Sequence, residues 1–256
     1  MSDTSHAVPV GAHPGHATLA HHFDTPAQQY DSAKFAMWLF LVTEVLLFGG
    51  LFCAYAVYRA NHPEIFLFAH TLLEKTLGAI NTGVLLFSSF TMAWSVRAAM
   101  LGQRRLLIGL LAVTLLCGVG FLGIKGLEYE HKWKHGLLWG ERFDYSQLHY
   151  PEHGTPGPNE VADGLDQSAL RLDAHGYPPQ EIPRNVHIFF GIYFVMTGLH
   201  GLHVIAGMVV IGWLLVRAVR GDFGTKNYVA VDLGGLYWHL VDLIWIFLFP
   251  LLYLIH

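Results

Sequence analysis

Three sets of polar residues lie inside strongly apolar sequence, where an ionisable group is costly and marks a candidate site. The first is Glu44, in MWLFLVTEVLLFGGLFCAY over residues 37–55. At helical spacings of three, four and seven its neighbours are Phe40, Leu41, Leu47, Phe48 and Leu51, so its own helix offers no hydrogen-bond partner. The partner has to come from another helix, from water or from a lipid headgroup. Without one, desolvation penalises the charge and the carboxyl is expected to keep its proton. Two readings stand, a functional intramembrane carboxyl and a structural hydrogen bond between helices. The second set is His200 and His203 in TGLHGLHVIAG, three apart on one helical face beside Thr197, Gly198, Gly201 and Gly207, small residues that let a neighbouring helix approach. Haem ligation, metal ligation, a proton relay and plain packing are the alternatives for this pair. The third is His239 and Asp242 in YWHLVDLIWIFLF, also three apart, an imidazole and a carboxylate that can meet on one face to tie helices together or pass protons. No serine or cysteine nucleophile accompanies them, so hydrolysis is not indicated.

Haem ligation has its own spacing test. Two stacked haems in a membrane b-type cytochrome need two histidines about thirteen residues apart on each of two helices. His187 and His200 have that separation, but the partner helix offers His239 and then only His256, seventeen residues on, and the first three apolar runs hold no histidine. The four-ligand pattern fails.

The elements that must carry these residues are transmembrane helices. Of 256 residues, 53% are hydrophobic and 13% charged, against roughly 25% charged in a soluble domain. A net charge of −4, without an aromatic-interleaved basic patch, argues against nucleic acid as a partner. Cys53 and Cys117 lie in apolar runs without metal-site or disulfide spacing. Five runs reach the roughly 20 apolar residues that cross a bilayer, at about 35–58, 76–97, 105–127, 187–216 and 230–255. The expected fold is therefore an all-α membrane protein, a bundle of five transmembrane helices. Lys34, Arg97, Arg104, Arg105, Arg217, Arg220 and Lys226 fall in segments of one side, which places the N-terminus inside and the C-terminus outside. Residues 1–33 read as a polar cytoplasmic tail with five histidines and no signal-peptide core. Residues 34–256 read as the membrane domain, with a long, acidic, Pro- and Gly-containing extracytoplasmic loop at about 128–186. Within that domain Asn81, Thr82, Ser88 and Ser89 are suited to hydrogen bonds between helices. In GIKGLEYEHKWKHG, Lys125 can pair with Glu128 near the interface, and Trp133 and Trp139 suit a headgroup girdle.

Five segments occur in an order that resembles subunit III of the haem–copper terminal oxidases: KFAMWLFLVTEVLLFGGLFCAYAVYR, NTGVLLFSS, LEYEHKWKHG, TGLHGLHVIAGM and YWHLVDLIWIFLF. The resemblance covers residues 34–256 apart from most of the long loop, and it is to the five-helix bacterial form. It implies a non-redox subunit in a bacterial inner membrane that binds no haem, copper or other metal itself, those centres lying in partner subunits. It further implies packing against oxidase subunit I, with subunit II and further subunits nearby, bound phospholipid, and support of proton uptake and durability in an enzyme reducing O2 with electrons from cytochrome c. By motif match Glu44 is the family's intramembrane glutamate, and His200, His203, His239 and Asp242 are its motif histidines and aspartate. Arg97, Arg104 and Arg105, with His203, are candidates for holding lipid, and the outer loop for touching a cytochrome c domain. A subunit III relative in a quinol oxidase or nitric oxide reductase would carry the same motifs. A stand-alone proton-coupled transporter would need internal repeats and broken helices, which this sequence lacks.

Overall fold

In a computed structural model, residues 23–134, 185–225 and 227–255 are described, and they form six α-helices and one 3-10 turn with no strand among them. The helices are α1 (Pro26–Asn61), α2 (Pro63–Ala69), α3 (Lys75–Met100), α4 (Arg104–Lys134), α5 (Val186–Arg220) and α6 (Val229–Tyr253), with the 3-10 turn at His70–Leu72 after α2. All but α2 are long and apolar enough to cross a membrane. At 36 and 35 residues, α1 and α5 run to about 54 Å at 1.5 Å per residue, so they extend beyond a roughly 30 Å hydrocarbon layer.

Helix ends differ from the apolar runs where polar residues are helical. α1 begins at Pro26 rather than near 35: the Thr25 hydroxyl accepts the Gln28 amide at 3.2 Å, and proline suits the first helical position. The last eight residues of the expected tail are thus helical, and residues 1–22 lie outside the described part. α4 likewise continues to Lys134 instead of ending near 127, because Glu128 pairs with Lys125 and with Lys132 on the same helical face. The segment taken as a loop from about 128 therefore opens with helix, and residues 135–184, Trp139 included, lie outside the described part.

Chain reversals use backbone that only certain residues adopt easily. Gly102, at φ 69°, turns α3 into α4 within three residues. Gly221, at φ 90°, ends α5 while the amides of Gly221 and Asp222 return to the carbonyls of Ala218 and Arg217. The Arg104 guanidinium then closes the same helix end, donating to the carbonyls of Ala218, at 3.1 Å, and Val219.

α3, α4, α5 and α6 form a closed ring, each packed on two of the others, and α1 leans against α5 and α6 from outside. Trp238 and Trp245 fill the middle of the ring, fully buried. Their indole nitrogens donate to Ser88 Oγ at 2.8 Å and Thr82 Oγ1 at 3.1 Å, which fixes the antiparallel register of α3 and α6. Gly207 gives Trp238 its space: a Cβ there would stand 2.8 Å from Trp238 Cε3. Gly207→Ala is accordingly expected to lower the thermal midpoint of the assembled protein, at a cost of about 1–3 kcal/mol for overpacking. Gly201→Ala, less than two turns away with nothing within 4 Å of the added carbon, should leave the midpoint unchanged or slightly raised. Equal effects of the two would refute this account of Gly207.

Candidate functional site

Midway along α1, Glu44 meets α5. Its Oε2 is 2.8 Å from His203 Nε2, and the other ring nitrogen, Nδ1, is 2.8 Å from the carbonyl oxygen of Leu199. A carbonyl only accepts, so Nδ1 carries a hydrogen; a neutral ring then accepts at Nε2, and the proton in this contact comes from the Glu44 carboxyl. Whichever atom holds that proton, the pair has no net charge, as suits a contact flanked by apolar groups. Phe48 packs its edge on the imidazole at 5.2 Å, and the Tyr237 hydroxyl donates to the His203 carbonyl at 3.1 Å. A hydrophobic carbodiimide, which reacts with protonated carboxyls, is expected to label Glu44 ahead of the loop carboxylates, as peptide mapping would show. Labelling confined to the loop would contradict this proton assignment.

Two apolar grooves of about 480 Å³ each flank the contact along the seam between α1 and its neighbours. One runs between Leu51 and Ala54 of α1 and Ile188, Ile192 and Val195 of α5. The other lies toward the opposite end, between Met37 and Phe40 of α1, Val210 and Trp213 of α5, and Leu233 of α6. Further polar clamps hold α1 at its two ends. Tyr30 donates to Asp232 Oδ2 at 3.1 Å while Lys34 donates to Tyr30 at 2.8 Å, and the Tyr55 hydroxyl donates to the carbonyl of Leu251.

His200 and His203 do not work as a pair. His200 turns into the ring of helices, where it lies edge-on to Phe121 at 5.5 Å and over Trp245 at 5.2 Å, and neither of its nitrogens has a hydrogen-bond partner among the described residues. Nor do His239 and Asp242 bond to each other. His239 Nδ1 is 2.7 Å from the Ser89 hydroxyl of α3, an interhelical tie, whereas both Asp242 oxygens are buried without a hydrogen-bond partner among the described residues. Of the arginines, Arg104 is engaged with α5 as described, while Arg97 and Arg105 stand exposed at the same end of the bundle.

A buried ionic cluster surrounds Glu128. Its Oε2 accepts from Lys125 Nζ at 2.8 Å, and its Oε1 accepts from Lys132 Nζ and the Tyr193 hydroxyl at 2.8 Å and from the Tyr253 hydroxyl at 2.7 Å. Lys125 spends its other two hydrogens on Tyr253 at 2.7 Å and Tyr193 at 3.2 Å, and its ammonium stands 4.8 Å from the Trp245 ring centre. The sequence indicated the Lys125–Glu128 pair, but as part of an interfacial girdle; the three-residue and four-residue spacings of Glu128 to Lys125 and Lys132 were the only local signal of a buried cluster. Tyr193 and Tyr253, on other helices, left none. Among the described residues, no three His, Cys, Asp or Glu side chains gather where they could hold a metal ion.

Five spanning helices with a neutral carboxyl–imidazole contact at mid-height define a polytopic membrane protein whose polar groups join helices to one another. Residues 16–133 and 180–256 match the family of cytochrome c oxidase subunit III, and the chain belongs to that family. It is 28% identical over 242 residues to cytochrome c oxidase subunit 3 of Gadus morhua, covering 92% of this chain and 74% of the relative. Identity and coverage are the same against the subunit 3 proteins of Oncorhynchus clarkii and Danio rerio. The chain is thus a multi-pass membrane subunit of a haem–copper oxidase, an oxidoreductase complex of the respiratory chain.

Proposed function

We propose that the chain is the non-redox subunit III of a proton-translocating, cytochrome c type oxidase in a bacterial cytoplasmic membrane, with its N-terminus inside. It steadies subunit I, supports proton uptake there and holds phospholipid, while haem, copper and electron transfer belong to the partner subunits. The observation that carries this reading is the α1 seam: a single neutral polar contact, Glu44–His203, set between two open apolar grooves whose aliphatic and aromatic lining suits acyl chains. Arg97 and Arg105, exposed at one end, suit the phosphate of a headgroup. The chemistry in this chain is positional: Glu44, His203, Tyr30 and Tyr55 keep α1 beside the ring while lipid fills the gaps.

Purification in mild detergent tests the proposal. The chain should travel with haem- and copper-containing subunits and with tightly held phospholipid. Removing it should leave the initial rate of O2 reduction nearly intact and shorten the time over which that rate is sustained. A chain that purifies alone, free of haem and copper partners, would refute the assignment. A copper-binding motif in the neighbouring subunit II separates the cytochrome c oxidase from a quinol-oxidising relative.

A further inference from the structure

The ring of α3, α4, α5 and α6 contains three side chains whose polar atoms meet no partner among the described residues. Asn81 is 1% exposed, His200 0% and Asp242 2%, and Asn81 Oδ1 and Nδ2, both His200 nitrogens and both Asp242 oxygens lack hydrogen bonds. Each such orphan, left dry, forfeits the hydrogen bonds it would make in water, and six together would offset much of a domain's marginal net stability. Buried polar groups in this position are ordinarily satisfied by internal water.

Their placement is not scattered. Trp238 bonds to Ser88 and Trp245 to Thr82, and Asp242 sits between those tryptophans on α6, facing the stretch of α3 between the two bonds. The buried polar column of α3 runs Ser95, Thr91, Ser88, Asn81, with the buried Leu85 interrupting it between the last two. Asp242 enters at the height of that interruption, with Ser89 alongside but outside hydrogen-bond geometry. His200 lies over Trp245, whose ring also carries the Lys125 ammonium, so the imidazole and the Glu128 cluster share that indole. Toward the other end, the Thr91 and Thr114 hydroxyls meet at 2.8 Å. A neutral imidazole, a primary amide and a carboxyl each present donors and acceptors together, which is the inventory that water matches and an apolar ligand does not.

We propose that this interior is a hydrated seam. Buried waters bind at Asn81, His200 and Asp242 and satisfy their polar atoms in the interior of the four-helix ring. The seam is separate from the α1 grooves and from Glu44.

A cryo-electron-microscopy map of the intact purified assembly, sharp enough to show ordered water, tests this. Density peaks are expected at about 2.6–3.2 Å from a polar atom of each of the three residues. Asp242→Leu should abolish the peak at its own position, and Asp242→Asn should retain it. If Asp242→Leu does not assemble, the wild-type map and Asp242→Asn still decide. A wild-type map with no density at these atoms would overturn the proposal, as would direct contacts among the three side chains. Peaks within about 2.5 Å of Asp242 would indicate a bound cation and equally overturn it.

Discussion

Glu128→Gln is expected to release most of this subunit from the purified assembly, with a cost of about 3–5 kcal/mol for breaking a buried ion pair from one side. The carboxylate accepts from Lys125, Lys132, Tyr193 and Tyr253 and is the one anion hydrogen-bonded to both buried ammoniums among the described residues. Glutamine removes that charge and turns an amide N–H2 toward a donor, so two lysines on α4 are left without compensation. The ties from α4 to α5, through Tyr193, and to α6, through Tyr253, then rest on a neutral amide oxygen and on Lys125 in place of a carboxylate. Removing all the charge together should be gentler: Lys125→Met, Glu128→Leu and Lys132→Met combined leave no stranded ion and should restore part of the loss. The mass ratio of subunits after detergent extraction and the thermal midpoint of the complex read both variants. Full retention of Glu128→Gln with an unchanged midpoint would show that the cluster is not holding the helices.

His203→Leu is expected to loosen α1 while leaving chemistry alone. It strands Glu44 midway along the seam, at about 1–3 kcal/mol for a lost partner. Initial O2 reduction should persist, and the number of turnovers before inactivation should fall. Adding Glu44→Leu removes the stranded carboxyl, so the double variant should outlast His203→Leu; strict additivity of the two would mean that the residues do not interact. Glu44→Gln separates the proton from the contact, since its amide can still donate to His203 Nε2. It should retain α1 and the initial rate, and any faster decay in turnover then reports the missing proton. An immediate, complete loss of activity would make Glu44 a catalytic residue and contradict the proposed supporting role.

The spans were legible because the bilayer imposes length and apolarity directly, which five runs of this sequence display. Their ends were not, because 26–34 and 128–134 are helical through caps and ion pairs that hydropathy does not register. At the site, the motif residues were identifiable and their partners were not. Nothing within TGLHGLH distinguishes His203, which turns outward to α1, from His200, three residues earlier and facing the ring interior. The difference arises from where α1 and α4 lie around α5, a tertiary fact. The same holds for His239 and Asp242: their spacing allows a contact, and Ser89 on α3 takes the imidazole instead.

The contrast in packing between α1 and the ring bears on how the chain assembles. Only 11% of the most apolar stretch of α1 is buried within the chain, against 50% for α6. Apolar contact on such a face is nearly the same at any height, and lipid competes for it on equal terms. The vertical setting of α1 is therefore dictated by its three clamps, at Tyr30, Glu44 and Tyr55. A slide of one helical turn, about 5.4 Å, would break all of them together. During membrane insertion α1 emerges before every helix it binds, so the clamps act as a proofreading ruler. Once α5 and α6 arrive, an out-of-register α1 leaves an unmatched carboxyl and an unmatched imidazole inside the bilayer, and only then does such a chain differ from a correct one.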